Sequence, residues 1–371
     1  MHSTTFSRRD VLHLLGIGTL GIGVGCGQTP ESTLTELPAA GSQPAASVQF
    51  PDGAIIRAIL EDFPPEALGS GATLFHEHLS LNVAFWETLL GGDAEALAQR
   101  LSGAPPSYFM EHFDLILEEV RAAGEEGIAC IVDGGHADMG RDIDFLRRLS
   151  QASGLPIVAS GGYYLQPFYP AEIADQDEEE IADALVRDAQ EERWGAFGEI
   201  GSSAEMTPGE RKMLGAVGRA HLQTGIPIFT HTANGSEALT QFDILEGLGI
   251  DPAHFVIGHL GSLPDPRVEV HTAVAARGAF VGFDRLARGP EADAIKVEMI
   301  TAMLDAGYVD QVLLASDFSS AEHLKRNGGA GYAKTVTQFV PMLREAGVDD
   351  ETIRTMTVDN PRRFLAFVPR A

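Results

Sequence analysis

Lysine and cysteine are both scarce in this 371-residue chain. Only Lys212, Lys296, Lys325 and Lys334 occur, so arginine supplies most of the 26 basic side chains, set against 53 acidic ones for a net charge of −27. Such a surface repels phosphate backbones and removes nucleic acid from the expected partners. Two cysteines, Cys26 and Cys130, cannot build a disulfide framework. Cys130 sits inside Ile128-Ala-Cys-Ile-Val132, where a small buried hydrophobe is the natural reading. The apolar stretch from Val11 to Gly25 is too short for a membrane span. No Gly-x-Gly-x-x-Gly turn follows the first strand of the repeating pattern described below, which argues against an open dinucleotide-binding sheet.

Residues 1–26 read as an export signal. Ser7-Arg8-Arg9-Asp10-Val11-Leu12 is similar to the twin-arginine pattern, and Gly23-Val24-Gly25-Cys26 resembles a lipoprotein cleavage site, with Gly23 where a leucine is usual. The expected product is exported by the twin-arginine route to the periplasm or cell surface and lipid-anchored at Cys26, its only membrane contact. Residues 27–47 are rich in Pro, Ala, Ser and Thr without periodicity and read as a flexible linker. The remaining 48–371 form one domain, with a homodimer compatible with it and a small molecule as the expected partner.

From Thr73 onward, short apolar runs alternate with amphipathic segments. The runs are Thr73–Phe75, Ile128–Val132, Pro156–Ala159, Gly195–Phe197, Ile226–Thr230, Phe255–Ile257, Ala279–Phe283 and Val312–Ala315. Between them, positions such as Phe113, Ile116, Leu117 and Val120 repeat at helical spacing. Fully apolar strands alternating with helices predict a parallel sheet covered on both faces, and eight such units predict an α/β fold of the (β/α)8 TIM-barrel type.

A barrel places catalytic groups at the C-terminal ends of its strands. His76, His78, Glu199, His231, His259 and Asp317 all fall there. His76 and His78, two apart, would share one face of a strand, leaving Glu77 pointed away in a structural role. His254 begins its strand and belongs to the opposite, stabilising end. His112, His221, His271 and His323 lie in helical or loop segments and read as surface histidines. Each site residue has a bland reading as a polar strand end; six together do not. Imidazole and carboxylate suit two divalent ions, with Zn²⁺ expected and Mn²⁺ or Co²⁺ also fitting. We assign His76, His78 and Asp317 to a more buried ion, His231 and His259 to a more exposed one, and Glu199 to both. A hydroxide bridging the ions would attack an ester, lactone, amide or phosphoryl centre, with Asp317 as the catalytic proton acceptor.

From Pro65 to Phe367 the chain resembles the phosphotriesterase family of the amidohydrolase superfamily. Leu68-Gly69, Thr73-Leu-Phe-His-Glu-His-Leu79, Val132-Asp133-Gly134, Gly140-Arg141-Asp142 and Gly161-Gly162-Tyr163-Tyr164 are similar to the family's blocks. So are Gly198-Glu199-Ile200-Gly201, Thr230-His231-Thr232, Gly258-His259, Gly282-Phe283-Asp284-Arg285, Ser316-Asp317 and the closing Asn360-Pro-Arg-Arg-Phe-Leu365. Phosphotriesterases proper carry a carboxylated lysine where this chain has Glu199, as members described as phosphotriesterase-related do. The resemblance therefore implies a binuclear hydrolase that leans toward lactones, carboxylic esters and related acyl substrates, with phosphotriester turnover in second place. His136, Tyr163, Tyr164 and Arg285 follow strands on the same face and are candidate substrate contacts, although the tyrosines could equally pack and Asp284 could simply pair with Arg285. The segment from Phe85 to Ser107 and the loop after Phe318 are expected to shape the pocket. Gly198-Glu199-Ile200-Gly201 is also similar to a block of TatD-type metal-dependent deoxyribonucleases; the acidic charge, the export signal, the Asp284-Arg285 block and the closing helix argue against that choice. The remaining competitor, a lipoprotein that binds metal or ligand without catalysis, would require a broken ligand set.

Overall fold

Eight strands are buried almost end to end, as helices on one side and a filled interior on the other require. In the computed structural model, which describes residues 48–101, 108–263 and 265–370, they are β3 (Ala72–Glu77), β4 (Ile128–Asp133), β5 (Ile157–Gly161), β6 (Ala196–Ser202), β7 (Ile228–Thr232), β8 (Phe255–Ile257), β9 (Phe280–Phe283) and β10 (Val312–Leu314). A preceding hairpin, β1 (Ile56–Arg57) with β2 (Asp62–Phe63), is antiparallel. The export signal, the linker and Cys26 lie outside the described residues. Among the described residues no helix is long and apolar enough to cross a membrane.

β3 to β10 pair in parallel in strict chain order, giving a nearly closed (β/α)8 barrel. Its interior is packed by Phe75, Val132, Val158, Phe229, Val256 and Leu313, all fully buried. Each large apolar side chain removed from water contributes roughly 1.5–3 kcal/mol. Cys130 belongs to this interior, and burial pushes its thiol up to about 12, so it acts as the inert hydrophobe expected. The hairpin residue Ile56 and the closing-helix residues Phe364 and Leu365 belong to the same cluster.

The outer helices begin and end on local signals. Asp142 caps Ile143–Ser153 by accepting from the backbone of Asp144 and Phe145, and left-handed Gly154 ends that helix. Thr207 and Glu210 form a reciprocal capping box on Pro208–Thr224. Two of the four histidines expected at the surface are instead buried, His221 and His271. Each can be buried because a backbone carbonyl takes up one ring nitrogen: Ile226 O is 2.7 Å from His221 Nδ1, and Leu260 O is 2.8 Å from His271 Nε2. His112 and His323 are half-buried, and His254 precedes β8 as its place in the pattern implied.

At the seam between the last strand and the first, a side chain does part of the ladder's work. The Glu77 carboxylate accepts from Ser316 N at 2.8 Å, Ser316 Oγ at 2.7 Å and Phe318 N at 2.8 Å. The Asp317 amide donates to His76 O at 3.2 Å. Glu77 therefore points away from its neighbouring histidines and holds the turn that carries Asp317, whose φ is +50°.

Close strand approach makes glycine necessary at the site end. A Cβ on Gly258 would stand 1.9 Å from the Thr230 carbonyl oxygen, whereas one on Gly247, at the end of Ala238–Gly247, meets nothing within 4 Å. Gly258→Ala should cost about 3 kcal/mol in urea unfolding, and Gly247→Ala should stabilise by up to about 1 kcal/mol. Equal effects at the two positions would refute this account of the barrel's packing.

Candidate metal centre

The barrel's upper mouth brings together four histidines around one carboxylate. Glu199 Oε1 lies 3.3 Å from His78 Nε2. Glu199 Oε2 lies 3.4 Å from His76 Nε2, 3.0 Å from His231 Nδ1 and 3.2 Å from His259 Nε2. All five residues are buried. Two irregularities in strand pairing aim them. The β3–β4 register shifts between Leu74 and Glu77, and the β6–β7 register shifts between Phe197 and Ile200, so each break brackets a site residue. His76, Glu199 and His231 lie in the C-terminal parts of β3, β6 and β7, which run longer than the apolar runs. His259 and Asp317 do follow their strands, both with left-handed backbone at φ of +59° and +50°.

Two triads here could each hold a metal ion, His76–His78–Glu199 and Glu199–His231–His259, with ligand atoms lying within 4.8 Å of one another in each. The donor chemistry fits: imidazole nitrogens and a carboxylate, the usual ligands of Zn²⁺. His76 Nε2 is buried with no hydrogen-bond partner, and the two imidazole nitrogens His259 Nε2 and His231 Nδ1 approach to 2.8 Å. A third grouping, His76–His259–Asp284, meets the same distance test. Its geometry is better described as hydrogen bonding. Asp284 Oδ2 is 2.9 Å from His76 Nδ1, and Asp284 Oδ1 is 2.9 Å from His259 Nδ1 and from the His259 amide. Asp284 thereby sets the ring orientation of one histidine from each triad, leaving both Nε2 atoms turned to Glu199.

Asp317 stands outside both triads, with Oδ1 3.2 Å from His78 Nε2 and Oδ2 3.0 Å from Arg285 Nε. Burial alone would raise its pKa, but the His78 hydrogen bond and the charge on Arg285 outweigh that and hold it well below the usual range. Glu199 is likewise held low, burial being overcome by His76 and by hydrogen bonds from His231 and His259. Against the opposing effect of burial, Asp317 and Glu199 lift His78 to about 9. His231 falls to about 4 through burial and the neighbouring His259.

The mouth opens as a cleft of about 130 Å³. Tyr164 and Arg285 line it. The Tyr164 hydroxyl is 3.3 Å from His231 Nδ1, and burial followed by the Glu199 charge keeps that hydroxyl protonated far above its ordinary value. Phe85, Trp86 and Leu89, from the expected wall segment, and Ser319, from the loop after Phe318, also line it. Two of the candidate substrate contacts stand apart from this lining. His136 is buried and does not line the cleft: its Nδ1 meets Asp138 at 3.2 Å, and Asp138 in turn accepts from the Tyr164 amide at 2.9 Å, so it supports the tyrosine loop. Tyr163 is turned to Tyr169, with ring centroids 5.9 Å apart. Nor do Asp284 and Arg285 pair through a hydrogen bond, since Asp284 is taken by the histidines and Arg285 by Asp317. Asp284 is the functional residue the sequence reading missed, although it too directly follows an apolar strand.

Removing the Asp284 carboxylate, as in Asp284→Ala, should weaken divalent-ion binding about 10–100-fold. Ions entering the His78 triad must displace the proton that His78 holds. Apparent affinity should therefore rise with pH throughout the range below about 9 and level off above it. Titration calorimetry in buffers of different ionisation enthalpy measures both effects; affinity independent of pH over that window would contradict the second.

The model of the phosphotriesterase family matches residues 63–365. The phosphotriesterase homology protein of Escherichia coli (strain K12) is 30% identical over 304 residues, covering 80% of this chain and 98% of that one. An aryldialkylphosphatase of Saccharolobus solfataricus is 28% identical over 319 residues, covering 81% and 96%. The crystal structure of a lactonase from Listeria monocytogenes superposes with a TM-score of 0.73 at 26% identity, covering 84% of this chain and 99% of that one. These similarities run through the barrel and the whole centre, and the chain belongs to the hydrolases of the phosphotriesterase family, within the amidohydrolase superfamily.

Proposed function

We propose that the chain is a two-metal hydrolase of lactones, carboxylic esters and related acyl substrates, with phosphotriesters as secondary substrates. The observation that carries this reading is the single Glu199 carboxylate within 3.4 Å of all four histidines. His76, His78 and Glu199, with Asp317 beside them, would hold one ion; His231, His259 and Glu199 would hold the other. Zn²⁺ suits these donors best, with Mn²⁺ or Co²⁺ as substitutes. Bound there, the ions would supply a water ionised near neutral pH and a Lewis acid for the substrate oxygen.

The chain's own groups account for the rest. Asp317, kept ionised and aimed by Arg285, accepts the proton released when water adds, and passes it to solvent at the cleft mouth. Tyr164, protonated and facing His231, donates a hydrogen bond to the substrate's oxygen. The preference for carbon over phosphorus centres rests on Glu199, a shorter carboxylate arm than the carboxylated lysine of phosphotriesterases proper, and is supported by the similarity to a lactonase. The family match over residues 63–365 leaves no reason to prefer a TatD-type nuclease. Export by the twin-arginine route and lipid attachment at Cys26 complete the proposal and rest on residues 1–26 alone.

The zinc-loaded protein should release protons from γ- and δ-lactones faster than from matched phosphotriesters. Asp317→Asn should lower kcat by about 10²–10⁴-fold, and Glu199→Ala should abolish turnover together with binding of the second ion. Preferential phosphotriester turnover would overturn the carbon-centre assignment, and an Asp317→Asn variant with full kcat would remove Asp317 from the proton path.

A further inference from the structure

Half of the cleft is untouched by the chemistry proposed above. After β3 the chain inserts two short helices, Val83–Leu89 and Ala94–Leu101. Phe85, Trp86 and Leu89 of the first make an apolar wall, and Arg100 of the second stands at its edge. The Arg100 guanidinium carbon lies 3.9 Å from the centroid of the Trp86 ring, and Nη1 donates to the Ser319 carbonyl at 3.4 Å. Stacking on indole fixes the plane of a guanidinium and leaves its donor edges available.

Arg100 differs from the other cations at this site in what answers its charge. Arg285 lies 3.0 Å from Asp317, and Arg288 lies 3.7 Å from the same carboxylate while donating to the Ser316 and Asp317 carbonyls. Among the described residues no carboxylate comes within ion-pair distance of Arg100, and residues 102–107, which follow it, contain no acid in the sequence. In a chain of net charge −27, an unanswered guanidinium beside an apolar wall focuses positive potential into one cleft.

We infer that Arg100 is a specificity residue. The substrate is an acyl compound with an apolar body seated on Phe85, Trp86 and Leu89, and a carboxylate that pairs with the Arg100 fork at the mouth. This rests on the acyl-hydrolase reading. It adds that the site selects an anionic end remote from the bond that is cleaved.

The test uses the metal-loaded full-length protein and two probes, a γ-lactone bearing a 4-carboxyphenyl group and its neutral carboxamide. Wild type should favour the carboxylate in kcat/KM. That ratio should fall about tenfold in Arg100→Gln, as expected for loss of a charge-assisted hydrogen bond, with the loss in KM. Arg100→Lys, which keeps the charge without the fork, should recover part of it. The same ratio in wild type and both variants would overturn the inference. If neither lactone is turned over by wild type, the acyl-hydrolase reading fails, and calorimetry with 4-propylbenzoate and 4-propylbenzamide then decides the subsite. Tighter benzoate binding that Arg100→Gln abolishes would sustain it; equal binding of the two would reject it.

Discussion

One carboxylate has to satisfy four imidazoles, and the upper half of the barrel is arranged around that demand. Glu199 is buried and ionised, a state that is costly without compensating charge. The compensation comes from the charge on His76 and His78 and from hydrogen bonds with His231 and His259, which reach it from the ends of β3, β7 and β8. Parallel strands in chain order, register breaks at two of them and left-handed backbone at His259 are the means of convergence. Asp284 then binds one histidine of each triad, so the two halves of the centre share a support as well as a ligand.

The His-Glu-His triplet shows how closely that centre is tied to barrel closure. Strand alternation sends the imidazoles to Glu199 and the intervening carboxylate to the seam. There Glu77 takes the amides on either side of Asp317, holding in place the residue assigned to accept the proton. Stability of the seam and the position of Asp317 therefore depend on the same three residues. The apolar insertion and Arg100 are built outside this frame, where substrate preference can change without disturbing the carboxylate and its histidines.

Much of this was legible in the sequence because barrel physics leaves a simple trace. Fully apolar runs spaced by amphipathic helices mark parallel strands, and a polar residue closing such a run has few reasons to be there. That rule found Glu199, His231, His259 and Asp317, and applied to Asp284 it would have found that residue as well. Adjacency in sequence suggested a partner for Asp284 that the fold gives instead to Asp317. His136 and Tyr163 turn to Asp138 and Tyr169, because position after a strand specifies a face of the barrel but not the rotamer or the loop path. The burial of His221 and His271 depended on single backbone carbonyls, which no residue pattern encodes. Arg100 lies in an insertion, and nothing in its residue pattern announces the contact of its guanidinium with Trp86.

The central claim is that Glu199 joins two ions in one centre. Electron paramagnetic resonance of the manganese-titrated protein tests it most directly. The account predicts uptake of two Mn²⁺ per chain with an exchange-coupled spectrum, which Glu199→Ala converts to the signal of isolated ions. A single ion per chain, or two that remain uncoupled in the wild type, would contradict it.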